Sequence, residues 1–324
     1  MTDDIRPLLG RATPAQAQAV LGAMRAVAES GGALSASDRL ALDSAALYMF
    51  GLPACDAAGL APVQPEALAG ALAGNTLAAD AVRLLTAMAF VDGTLDPAKI
   101  TAVLTYARAL DLSAPYLDEI REAAAGHVQE ALADMARRNM ESLTGKPWSG
   151  AIAPWLLPYE GAGADPALAA RFAALAESDP ASFGHAFWRH FTENGYAFPG
   201  APSALNAVFS VPHDTNHVLT GFDTSPRGEV LTSTFTAAMH PHYPMAGHIL
   251  PAIFSWHLRL EINAVAGGAS GGMDPVVFWR AWAAGAAATV DTFAPGWDFW
   301  SVVDVPLAEL RVRYGLPARG VEIG

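Results

Sequence analysis

The sequence predicts an all-α protein made of two helical domains, and three observations predict it. Ala-rich runs carry apolar residues at helical spacing, with Ser, Thr or Pro at their starts. No run of alternating β-branched residues is long enough to suggest a sheet. Composition also changes near residue 147: all 8 Trp lie at or after Trp148, and only Tyr48, Phe50, Phe90, Tyr106 and Tyr116 of the aromatics come before it. At 324 residues, 52% hydrophobic and 16% charged, the chain is long enough for two cores and too apolar for disorder. The domains are read as residues 1–147 and 148–324, joined through the Gly- and Pro-rich stretch from Gly145 to Pro166.

The elements follow in order. Pro14 to Ala28 and Ser37 to Met49 are expected helices, with Thr13 and Ser35 or Ser37 as their caps. Leu77 to Phe90 places Leu77, Ala81, Leu84, Leu85 and Met88 on one helical face. Asp92-Gly93-Thr94-Leu95-Asp96-Pro97 then reads as a turn, with Pro97 opening a helix over Ala98 to Leu110 and Ala-rich helical runs continuing from Ser113 to Leu143. The second half reads as more aromatic helices separated by Pro and Gly. Val230 to Leu258 carries no formal charge, yet holds His240, His242, His248 and His257 with Pro241, Pro244 and Pro251 between them. Lipid would leave those imidazoles and that interrupted backbone unsatisfied, so the stretch is expected to be a buried wall inside the protein.

A formal charge of −13 and no basic stripe argue against nucleic acid and against docking on anionic lipid by charge. The single cysteine, Cys55, excludes an internal disulfide framework and a cysteine-based metal cage. The acidic start MTDDIRPLLG has no signal-peptide core, so a cytoplasmic location is expected.

The chemistry concentrates at Val211-Pro212-His213-Asp214-Thr215-Asn216-His217, followed after eleven residues by Glu229. Pro212 fits the first turn of a helix. His213 and His217, four apart, then leave one face about 6 Å apart along the axis, with Asp214 beside them. The helix should end by Gly221; Thr224 to Gly228 reads as a turn, and Glu229 opens a second helix that brings one more carboxylate back to the imidazoles. Two imidazoles with one or two carboxylates suit a divalent metal, Zn²⁺ first, with Fe²⁺, Mn²⁺ or Co²⁺ as alternatives. A zincin protease motif with Asp for Glu is disfavoured, because the shorter side chain would pull the base away from the metal-bound water.

The pattern His213-Asp214-x-x-His217, eleven residues, Glu229 resembles the metal motif of the coenzyme Q biosynthesis protein 4 family. Gly221, Gly228-Glu229-Val230, Tyr243-Pro244-Met245, Trp282-x-x-Gly285 and Pro306 to Arg311 extend the resemblance over roughly residues 183–317. The resemblance implies an all-helical metalloprotein of ubiquinone-type metabolism, with metal and catalysis carried by His213, Asp214, His217 and Glu229. It implies oxidative decarboxylation and hydroxylation of a 4-hydroxybenzoate-derived, prenylated ring; the alternative is a non-catalytic isoprenoid- or quinone-binding scaffold of a biosynthetic complex with a structural metal. The expected partner is a hydrophobic prenylated aromatic or quinone-like molecule. Arg227 and Arg259 are candidates to pair an anionic group, and His240, His242 and His248 are candidates for supporting or substrate-contacting roles. The Val230–Leu258 wall and Trp279, Trp282, Trp297 and Trp300 are candidates to line a greasy pocket.

Leu84 to Leu112 resembles the helical TerB-type tellurite-resistance domain, in which a helix, an Asp-Gly turn and another helix recur. Asp92 and Asp96 are candidate cation ligands there, although a turn followed by an N-cap is the favoured reading. This half is expected to dock, sense or form a homodimer. Contact with the inner membrane is expected to be peripheral and hydrophobic, through Trp148 to Tyr159 and Tyr196 to Pro202.

Overall fold

The structure is a computed structural model that describes residues 8–147, 164–202, 204–260 and 268–321. The Trp148–Tyr159 stretch lies outside the described residues. The fold is all-α: among the described residues there is no strand, only isolated bridges at Ser182–Pro306 and Leu258–Ser270. Nor is any helix among them long and apolar enough to cross a membrane.

In the first half, α1 (Pro14–Ser30) and α2 (Ala36–Phe50) both start with a full capping box, from Thr13 and Ser35. The short α3 (Pro65–Ala71), then α4 (Ala78–Met88) and α5 (Pro97–Ala109), pack around α1. The run from Ser113 divides into α6 (Pro115–Ala124) and α7 (Val128–Thr144). They part at Gly126, whose φ of 93° no helix continues through.

The turn between α4 and α5 holds an ammonium where a metal cation was considered. Asp92 accepts from Lys99 Nζ at 2.6 Å, Asp38 lies 3.8 Å from the same nitrogen, and Lys99 is buried. Burial alone would raise the Asp92 carboxyl; Lys99 and Thr94 outweigh it and hold it below its usual value. Asp96 caps α5 by accepting from Ala98 N.

The second half runs through α8 (Pro166–Ala173), α9 (Phe183–Glu193), α10 (Ala207–Thr220) and α11 (Pro226–Met239). A π-helical turn (Pro244–Ile249) leads directly into α12 (Leu250–Trp256), followed by α13 (Val277–Ala287) and α14 (Leu307–Arg313). Helix α11 is central, packed by α10, α12, α13 and the π-helical turn. Its crossing with α13 is close: a Cβ at Gly285 would stand 2.2 Å from the Phe235 carbonyl oxygen, so only glycine fits.

The charge-free stretch is mostly wall, as expected, but Pro241, His242 and Tyr243 form an exposed corner within it. The four Trp residues pack in or against the core instead of lining a pocket. Trp279 and Trp282 stack within the core, Trp297 donates to Tyr314, and Trp300 carries Arg171 over its face.

The two halves share one apolar core that runs from Leu9 to Val321. Polar contacts also cross between them. His257 Nε2 lies 3.0 Å from the Phe90 carbonyl, Asn139 of α7 donates to Gly247 O at 2.6 Å, and Ser142 of α7 lies 2.7 Å from His248 Nε2.

Candidate metal centre

Helices α10 and α11 form the site. Asn206 caps α10 by accepting from Val208 N, one turn earlier than the sequence suggests, so Pro212 lies inside the helix and not in its first turn. Pro212 has no N–H for the Val208 carbonyl, but Val208 is exposed and water can serve that oxygen. Gly221 ends the helix in the left-handed conformation, and Arg311 of α14 donates to Val218 O and Leu219 O. Ser225 caps α11, which opens at Pro226, so Glu229 sits in its first turn instead of starting it. Gly228 makes the return possible: a Cβ there would lie 1.8 Å from Asp223 O. Asn216 fixes the register, donating to Thr236 Oγ1 and accepting from Thr292 Oγ1.

Three groups converge at the face between the helices. His213 Nε2 and His217 Nε2 are 3.2 Å apart; Glu229 Oε2 is 3.3 Å from the first and Oε1 is 3.6 Å from the second. Two ligands at about 2.0–2.1 Å from one tetrahedral ion stand about 3.3 Å apart, close to the His213–His217 separation, while Glu229 turns a different oxygen to each imidazole. The donor set of two imidazoles and a carboxylate fits it chemically and serves Fe²⁺, Mn²⁺ or Co²⁺ as well. His217 Nδ1 lies 3.1 Å from Phe222 O and 3.1 Å from Thr232 Oγ1. A carbonyl only accepts, so Nδ1 carries a proton and Nε2 is the nitrogen turned toward His213 and Glu229.

The electrostatics agree. Burial opposes charge on His217, but Glu229, Asp214 and Phe222 O together push its pKa up to about 9. Burial also opposes charge on Glu229, yet His217 and His213 hold its carboxyl well below the usual range. An anionic carboxylate clasped by two imidazoles is a charge pattern that a divalent cation completes.

Asp214 is near enough to join, with a ligand atom within 4.8 Å of those of His213 and His217. Its Oδ1, however, meets His190 Nε2 of α9 at 3.1 Å, and the His190 ring stacks on His217 at 5.5 Å. His190 belongs to the site and the motif does not mark it; only the crowding of histidines between His185 and His257 hints at it.

A cavity of about 540 Å³ opens beside these candidate ligands. His213, Asp214 and Glu229 line it, with apolar walls from Leu205, Phe209 and Ala252 among others. Phe209 also stacks on the His213 ring at 5.0 Å. Of the other predicted residues, His248 lines the cavity, while His240, His242, Arg227 and Arg259 do not. His240 is buried against Asp291 at 2.9 Å and His242 is exposed. Arg227 pairs with Asp274 at 3.1 Å, and Arg259 is exposed with a φ of 59°. Trp256, and not the four Trp residues expected there, supplies the indole of the cavity wall.

No family model and no curated protein matches this chain. Among solved structures it is similar to a crystal structure of a candidate ubiquinone biosynthesis protein from Nostoc punctiforme, at 20% identity and a TM-score of 0.33 over 62% of this chain and 94% of that one.

Proposed function

We propose that this chain is a divalent-metal enzyme acting on a hydrophobic, oxygen-bearing aromatic ring of the ubiquinone type. The carrying observation is that His213, His217 and Glu229 converge at separations of 3.2, 3.3 and 3.6 Å, with His213 and Glu229 in the wall of a largely apolar cavity. A metal bound there would supply a Lewis acid for a carboxylate or phenolate oxygen. His213 and His217 hold it, Glu229 balances its charge, and Thr232 and Phe222 O keep the His217 ring in the correct tautomer. His190 orients Asp214 beside them. Leu205, Phe209 and Ala252 exclude water and take the apolar part of the substrate.

The reaction proposed is replacement of a ring carboxylate by hydroxyl on a 4-hydroxybenzoate-derived, prenylated ring. Carbon dioxide leaves, one oxygen atom comes from dioxygen, and the other departs as water with two electrons and two protons from an external reductant. The test is incubation of the protein, loaded in turn with Zn²⁺, Fe²⁺, Mn²⁺ and Co²⁺, with prenylated 4-hydroxybenzoates, dioxygen and a reductant. Carbon dioxide release with ring hydroxylation, lost in His213→Ala, is expected. No product with any metal would overturn the catalytic reading.

A further inference from the structure

The cavity has a second polar edge, away from the metal motif and supplied across the boundary between the halves. His248, on the π-helical turn, lines the cavity and places Nε2 2.7 Å from Ser142 Oγ of α7. Ser142 has one hydroxyl proton, and it goes to His242 O at 3.0 Å. Its oxygen therefore accepts from His248, so His248 carries its proton on Nε2 and has a lone pair at Nδ1. Burial, with His240 and His213 nearby, pushes the His248 pKa down to about 3, so the ring is neutral at any working pH. Asn139, one turn before Ser142 on α7, also lines the cavity. Its amide nitrogen gives one N–H to Gly247 O, which leaves a second N–H and the amide oxygen.

His248 thus offers the cavity an acceptor and no donor, and Asn139 offers an N–H as well as its oxygen. We propose that Asn139 and His248 form a specificity subsite for a hydroxyl on the bound ring, with His248 accepting the hydroxyl proton and Asn139 donating to the hydroxyl oxygen. It selects a hydroxylated ring over the corresponding ether or quinone, which bring oxygens that only accept. An ether or a quinone would leave the His248 acceptor unpaired, a loss large enough for about tenfold discrimination. The subsite rests on the reading of the cavity as an aromatic-ring site. It also gives the N-terminal half a part in recognition, because α7 supplies Asn139 and, through Ser142, sets the tautomer of His248.

The test is calorimetric binding of 1-naphthol, 1-methoxynaphthalene and 1,4-naphthoquinone to the full-length, zinc-loaded protein. Wild type should bind naphthol about tenfold more tightly than the other two. His248→Leu should lose that preference while retaining its zinc content. His248→Gln, which keeps an acceptor, should recover part of it. If His248→Leu does not fold, Asn139→Leu serves, with a smaller loss of preference expected. Equal binding of the three probes by wild type would overturn the subsite and leave the aromatic cavity standing. Failure of all three to bind would overturn both.

Discussion

Glu229 reaches both imidazoles, whereas Asp214 is shared with His190, and this difference ranks the ligands. Glu229→Ala should weaken zinc affinity by about 100-fold or more, and Asp214→Ala and His190→Ala by about tenfold, the scale of a group that orients a ligand. Competition with a chromophoric chelator measures all three, and equal affinities in the Glu229 and Asp214 variants would refute the ranking. His213, His217 and Glu229 were legible in the sequence because i, i+4 spacing and a hairpin return are local geometry. His190 was not, because it reaches Asp214 from a different helix and no spacing rule spans that gap. Arg227 lies outside the cavity for a geometric reason: residues two apart on a helix are about 200° apart around it, so Arg227 does not share the face of Glu229.

Among the elements, α10 has the carbonyls of its C-terminal end served by a side chain of α14. Arg311 donates to Val218 O and Leu219 O, and through Nη1 to Ala318 O. Burial lowers its pKa without neutralising it. Arg311→Met should leave those carbonyls unserved and cost about 2–4 kcal/mol. Denaturant unfolding should show the loss, with weaker metal binding because the His217 end of the helix loosens. In the first half α1, α2, α4 and α5 were readable to within about two residues, whereas α3 was missed and the run from Ser113 was not divided into α6 and α7. The start of α10 was misplaced because Pro212 looked like an N1 residue, while the actual start is set by the Asn206 cap. The pocket-facing Trp assignment failed because bulk and apolarity suit a core as well as a cavity wall, and only packing against α2 and α11 decides between them.

For the whole molecule, two buried groups tilt stability with pH in opposite directions. Glu119 of α6 is buried with Oε1 3.8 Å from Arg138 Nε. Burial raises its pKa to about 7; Arg138 and Arg137 oppose the rise, and Asp134 and Asp118 add to it. The folded state therefore holds that proton more tightly than the unfolded chain, and stability falls as pH rises from about 4.5 to about 7. His248 does the reverse. Its folded pKa of about 3 lies below the unfolded 6.5, so its contribution is complete above pH 6.5 and is lost as pH falls toward 3. Each slope is about 1.4 kcal/mol per pH unit, so the two nearly cancel between pH 4.5 and 6.5. Glu119→Gln should remove one slope, leaving a variant about 2–3 kcal/mol more stable than wild type at pH 8 and nearly equal at pH 4.5. Guanidinium midpoints at four pH values check it, and a pH-independent difference would refute it. The shared apolar core further predicts a single cooperative unfolding transition for both halves, recorded equally by far-ultraviolet circular dichroism and Trp fluorescence. Because every Trp is in the second half, a two-step melt would separate the two signals.

The π-helical turn has a consequence of phase. A π-helical segment fits one more residue into the turn than an α-helix would, so everything before it is rotated relative to everything after it. Removing one residue between Pro244 and Ile249 would let the segment relax into an α-helix continuous with α12, and the side chains ahead of the deletion would swing by about 100° around the axis. Deleting Ile249 should therefore keep the helix and its apolar burial largely intact while turning the His248 ring off the Ser142 hydroxyl and out of the cavity. The proposed subsite thus rests on a frameshift in space: one surplus residue, in a turn that Asn139 and Ser142 of the other half hold.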